Sequence, residues 1–182
     1  IFTTTFSMKI EDLIFMKEFI LLNQTFETHS INEKEMAELA RQIGQIIQFD
    51  DTLLLSGEIG AGKSYFCRKL IQSRQLYPEE VPSPTFTLVQ TYDTNSGEIW
   101  HVDLYRLTSA EGLIELGLYE AFEEKICLIE WPDLALEIAP ENALNLEILI
   151  TGEQQRKVKF SWTCSNTWNK RIEDISKNFI AK

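Results

Sequence analysis

Gly57-Glu58-Ile59-Gly60-Ala61-Gly62-Lys63-Ser64 fits the phosphate-binding pattern G-x-x-x-x-G-K-[ST] at every fixed position. Glycines let a backbone curl around an anion without Cβ clashes. Exposed N–H groups and a helix N-terminus then attract phosphate. In that chemistry Lys63 reaches the β- and γ-phosphates, and the Ser64 hydroxyl ligates Mg²⁺.

A metal held by Ser64 needs an acid on its other side, usually at the end of a neighbouring apolar strand. Ile126-Cys127-Leu128-Ile129-Glu130 supplies one, with Glu130 where Asp is more usual. Trp131 and Pro132 follow at once, either shielding the site, touching a partner, or simply packing. Ser83-Pro84-Thr85-Phe86 is a loop from which a threonine can contact γ-phosphate and Mg²⁺, although Thr-Phe also suits a strand start. In His101-Val102-Asp103-Leu104-Tyr105-Arg106, strand alternation puts His101 and Asp103 on one face. Asp103 is a candidate to position or deprotonate the attacking water. His101 and Asp103 lack a third metal ligand, so His101 reads as a structural residue. Arg106 either contacts phosphate or pairs with an acid.

These groups need strands to carry them and helices to cover them. Thr52–Ser56 reads as a buried strand before the loop, and Tyr65–Gln72 as the helix after it. Glu18–Asn23 is an expected first strand. Asn32 and Glu35 resemble a capping box ahead of Met36, Leu39, Ala40, Ile43 and Ile47 at helical spacing. Pro78 to Pro84 is a loop. Phe86–Tyr92 and Glu98–Leu104 read as a hairpin around the turn Asp93–Gly97. Ser109–Phe122 is helical with a break near Gly117, and Ile126–Ile129 is a buried parallel strand. Leu144–Ile150 and Lys157–Trp162 form a second hairpin through Gly152, and Lys170–Ala181 a last helix. The pattern predicts an α/β domain with a partly antiparallel sheet.

At 182 residues, 44% hydrophobic and 25% charged, the chain suits one packed domain with at most a small appendage. A net charge of −11 argues against broad non-specific nucleic-acid binding and leaves a basic protein partner open. Cys67, Cys127 and Cys164 are far apart and form no C-x-x-C pair, which argues against disulfides or zinc and suits a reducing cytoplasm. Cys67 and Cys127 read as small buried hydrophobes. No apolar run is long enough to span a membrane. Met8 and Met16 follow Ile1, and Met16 is the expected native start. The guanine motif N-K-x-D is missing, since Asn169-Lys170 leads into Arg171-Ile172, and D-x-x-G does not occur. ATP is therefore the expected nucleotide.

Together, Gly57–Ser64, Ser83-Pro84-Thr85-Phe86-Thr87-Leu88-Val89, His101-Val102-Asp103-Leu104-Tyr105-Arg106-Leu107 and Ile129-Glu130-Trp131-Pro132 resemble the bacterial TsaE (YjeE) family. Order and spacing fit from about Met16 to about Trp162. The resemblance implies a P-loop NTPase fold with a mixed sheet, parallel at its core. It implies a Mg²⁺-dependent ATPase of tRNA threonylcarbamoyladenosine synthesis, working with TsaB and TsaD and reaching tRNA only through them. It implies nucleotide contacts from Glu58, Ile59, Gly60, Ala61, Gly62, Lys63, Ser64 and Tyr65. Glu33, with Asn32, is expected near adenine, and Arg156 on the nucleotide. Ser64 and Glu130 are implied as Mg²⁺ ligands, with Ser64 where the family more often has Thr. Asp103, Lys63 and Thr85 are implied as catalytic. Residues 16–163 would form the ATPase domain and 164–182 a helical tail without a counterpart, with 1–15 outside the fold. Two other readings use the same residues: a small-molecule kinase, disfavoured by sparse arginine, and a nucleotide-sensing adaptor without essential hydrolysis.

Overall fold

The computed structural model describes residues 23–95, 97–163 and 166–179. The expected strand over 18–23, apart from Asn23, lies outside them, as do the 1–15 extension, Met8, Met16 and Cys164.

The chain runs through β1 (Asn23–Glu27), α1 (Glu33–Ile46), β2 (Thr52–Ser56), α2 (Lys63–Gln72), β3 (Val89–Thr94) and β4 (Gly97–Asp103). It continues through α3 (Glu111–Glu115), α4 (Leu118–Glu124), β5 (Ile126–Glu130), a 3₁₀ turn (Pro132–Ala135), β6 (Leu144–Gly152), β7 (Gln155–Thr163) and α5 (Asn166–Phe179). The expected capping box starts α1. Asn32 Oδ1 accepts from the Lys34 and Glu35 amides at 2.9 and 3.1 Å, and Glu35 returns the bond to the Asn32 amide at 2.8 Å. Gly117, at φ 74°, divides α3 from α4 where the break was expected.

Several boundaries depart from expectation: the first described strand is Asn23–Glu27, and the last helix starts at Asn166 rather than Lys170. The helix after the loop starts at Lys63 rather than Tyr65, because left-handed Gly62 ends the loop directly at its N-cap. Strand β3 starts at Val89 rather than Phe86. Leu88 adopts φ 65°, which turns the chain, and leaves Phe86 84% exposed.

Among the described residues seven strands form one sheet in the order β1-β7-β6-β2-β5-β4-β3. Strands β6, β2, β5 and β4 run parallel, while β1–β7, β7–β6 and β4–β3 pair antiparallel. Both faces of the centre are covered. Leu53, Leu55, Ile126 and Leu128 face a core shared with α1, α2 and α5, while Leu54, Cys127 and Ile129 face one shared with α3 and α4. Continuous apolar runs in β2 and β5 follow from this two-sided burial. The segment after β7 supplies Trp168, Ile172, Ile175 and Phe179 to the larger core. Among the described residues no helix is long and apolar enough to cross a membrane.

Register does the rest. Leu55 aligns with Glu130, and Glu130 with Asp103, so β2, β5 and β4 end side by side. Crevices beyond the carboxyl ends of such strands are where ligands bind in open α/β sheets.

Candidate functional site

The loop between β2 and α2 turns on Gly57, Gly60 and Gly62, at φ 139°, 77° and 111°. A Cβ on Gly60 or Gly62 would meet no atom within 4 Å. Backbone conformation and open approach, rather than tight packing, therefore call for glycine there. The first turn of α2 leaves N–H groups without helical partners, beside this open concavity.

Lys63 opens α2 and is nearly buried. Its Nζ donates to the carbonyls of Gly57 at 2.7 Å and Glu58 at 3.0 Å, and lies 3.7 Å from the centre of the Trp131 ring. Burial pushes the ammonium below its ordinary pKa, and the Glu130 and Asp103 carboxylates partly offset this. Trp131 holds φ 57°, and its amide bonds to the Leu55 carbonyl at 3.1 Å, which fixes the ring over the loop. The Tyr105 ring packs against it at 4.9 Å between centroids.

From Ser64 a chain of hydroxyls and carboxylates runs across the strand ends. Ser64 Oγ donates to Glu130 Oε2 at 2.8 Å and lies 3.4 Å from Ser83 Oγ. Ser83 Oγ lies 2.9 Å from Thr85 Oγ1, which donates to Asp103 Oδ2 at 2.6 Å. Asp103 Oδ1 accepts from the Tyr105 amide at 2.9 Å. Asp103 and Glu130 are 2% and 1% exposed. Among the described residues neither is within ion-pair distance of a lysine or arginine. Two buried carboxylates that, among the described residues, meet hydroxyls, an amide and an imidazole but no lysine or arginine offer hard oxygens of the kind Mg²⁺ takes.

The sites expected from sequence divide into two adjoining parts of one cleft. Lys63, Ser64, Thr85, Asp103, Glu130 and Trp131, with Ile59, line a cavity of about 300 Å³. Glu33, Asn32, Ala61 and Arg156 line one of about 700 Å³. Gly60, Gly62 and Tyr65 border both. Glu58 contributes its carbonyl to Lys63. Arg156 donates to the carbonyls of Ala61 at 3.0 Å and Gly60 at 3.1 Å, bracing the loop from β7. The Tyr65 hydroxyl donates to the Glu33 carbonyl at 3.3 Å, tying α2 to the start of α1.

Arg106 shows a ring contact in place of the acid pairing that was one of its two expected roles. It lies over the Phe86 ring at 5.4 Å and, among the described residues, pairs with no acid. With Phe86 exposed, the ring face is free to take a guanidinium that acids elsewhere do not reach. Tyr105 was missed as a site residue, although its place two positions after Asp103 was a usable signal. His101, read as structural, bonds Glu130 through Nε2 at 2.8 Å.

A family profile described as threonylcarbamoyl adenosine biosynthesis protein TsaE matches residues 30–158. The chain belongs to the TsaE family. Relatives named tRNA threonylcarbamoyladenosine biosynthesis protein TsaE include one from Rickettsia felis, 42% identical over 120 residues, covering 65% of this chain and 70% of that one. Another, from Aquifex aeolicus, is 34% identical over 129 residues, covering 70% of this chain and 90% of that one. The crystal structure of YdiB from Bacillus subtilis matches with a TM-score of 0.67 at 25% identity, over 86% of this chain and 95% of that chain. The fold is thus the P-loop fold of the TsaE family, which serves tRNA threonylcarbamoyladenosine biosynthesis. The TsaE match contains every cleft residue named above and excludes β1 and α5.

Proposed function

We propose that the protein is a Mg²⁺-dependent ATPase that serves formation of the threonylcarbamoyl group on adenosine next to the anticodon of tRNA. It acts on a complex of TsaB- and TsaD-type proteins. The observation that carries this reading is the Ser64–Glu130 and Thr85–Asp103 pair of bonds beside Lys63, with both carboxylates buried and, among the described residues, unpaired by lysine or arginine.

In this reading the larger cavity takes the nucleoside, beside Asn32, Glu33 and Tyr65, and the glycine loop takes the phosphates. Lys63 leaves its two carbonyl partners for phosphate oxygens, exchanging neutral acceptors for anionic ones that bind its ammonium more strongly. Ser64 and Glu130 supply oxygen ligands for Mg²⁺. Bound there, the cation neutralises charge on the phosphates. Asp103, steadied at Oδ1 by the Tyr105 amide, orients a water or takes its proton through Oδ2 once the Thr85 hydroxyl turns to phosphate. Trp131 keeps bulk water from Lys63.

Release of ADP from ATP, measured with and without TsaB and TsaD, tests the proposal. Slow hydrolysis by the protein alone, rising with both partners, is the expected result. Absence of both stimulation and association would overturn it, and ADP release dependent on a small-molecule acceptor would point to a kinase.

A further inference from the structure

His101 stands on β4 beneath the cleft with its side chain fully buried. Its Nε2 lies 2.8 Å from Glu130 Oε1, while Glu130 Oε2 accepts from Ser64 Oγ. A carboxylate has only acceptors, so Nε2 is the donor. The other ring nitrogen, Nδ1, is buried without a partner among the described residues. A buried imidazole with one bare nitrogen is a worse filler of apolar space than leucine. Packing therefore does not account for a histidine here, and its bond to Glu130 does.

Cys67 Sγ lies close by, so that donor atoms of Cys67, His101 and Glu130 all fall within 4.8 Å of one another. Such a trio resembles a soft-metal site. Within it, however, His101 Nε2 and Glu130 Oε1 are already bonded to each other, and burial raises the Cys67 thiol above its ordinary pKa.

We infer that His101 is a positioning residue for Glu130. It ties Oε1 and so turns Oε2 toward Ser64 and the cation these two hold. The inference rests on the proposed Mg²⁺ site. Held on one oxygen only, a glutamate has three side-chain torsions to order at each binding event. Held on both, it is ready before the cation arrives.

Two amide variants separate this role from simple packing. The His101→Gln amide reaches about as far as Nε2, while His101→Asn stops short by one methylene. Mn²⁺ binding to each protein with a non-hydrolysable ATP analogue is read by electron paramagnetic resonance. Binding of a fluorescent ATP analogue in chelator and metal-free melting temperatures are read in parallel. His101→Asn is expected to weaken Mn²⁺ about tenfold, and His101→Gln by less than about twofold, with nucleotide binding in chelator unchanged in both. Should His101→Asn not fold, His101→Leu serves as the donorless variant. Equal Mn²⁺ affinity in the donor-bearing and donorless variants would overturn the inference. Failure of the unmodified protein to bind Mn²⁺ with nucleotide would instead overturn the metal site itself.

Discussion

Asp51 and Glu130 are both buried carboxylates at ends of the central strands, and they are satisfied in opposite ways. Asp51, just before β2, is gripped by the Arg171 guanidinium from α5, through Nη1 and through Nη2 at 3.1 Å, and accepts from the Gln48 amide at 2.6 Å. Its charge is neutralised inside the fold. Glu130, at the far end of the adjacent strand, has a hydroxyl and an imidazole, and Asp103 beside it has a hydroxyl and an amide. Burying charge is costly unless it is paired. An end that pairs its acid with arginine is built for stability. An end that leaves two acids without lysine or arginine among the described residues is where the proposed function would place Mg²⁺.

Mutations at each end can break this contrast. The largest effect is expected from Lys63→Ala, which should lower nucleotide affinity at least about a hundredfold, read by titration with a fluorescent ATP analogue. Asp103→Ala should keep binding and lose about a hundredfold or more in hydrolysis; full turnover would remove Asp103 from the mechanism. Arg171→Ala should cost about 3 kcal/mol in urea unfolding, because it strands Asp51, while leaving the Mg²⁺ requirement alone. A changed Mg²⁺ requirement would mean the two ends are not separate. Glu130→Gln should do the reverse, raising metal-free stability by about 1 kcal/mol and abolishing the response to Mg²⁺.

The smallest effect concerns an exposed pair on α1. A side-chain hydrogen bond from Arg41, helped by Gln42, lowers the Glu38 carboxyl from an ordinary 4.5 to about 2. Its stabilisation is complete above the ordinary value and fades as pH falls from there toward about 2. Arg41→Ala should return Glu38 to the ordinary range in a carboxyl NMR titration, with little change in stability, since both side chains face water.

Features written in contiguous residues were legible in the sequence. The glycine loop, the capping box at Asn32, the break at Gly117 and the apolar runs of β2 and β5 each depend on neighbours along the chain. Glu130 was legible because a strand end is a place as well as a residue. The role of His101 was not, because its partner lies 29 positions away and only the β4–β5 register brings them together. The contact of Arg106 with Phe86 was not legible for a related reason. Phe86 became available to it only because Leu88 turned the chain out of the expected strand.

Among the described residues strand β1 has β7 as its one neighbour in the sheet, and Asp51 waits for Arg171. On the ribosome, then, an early strand and the acid before β2 both stay unmatched until more than a hundred further residues have emerged. The glycine loop can be translated long before the sheet that holds it is closed. Such long-range pairing is slow to form and leaves an edge open meanwhile. Nascent chains stalled before β7 should accordingly engage chaperones, and release past α5 should free them.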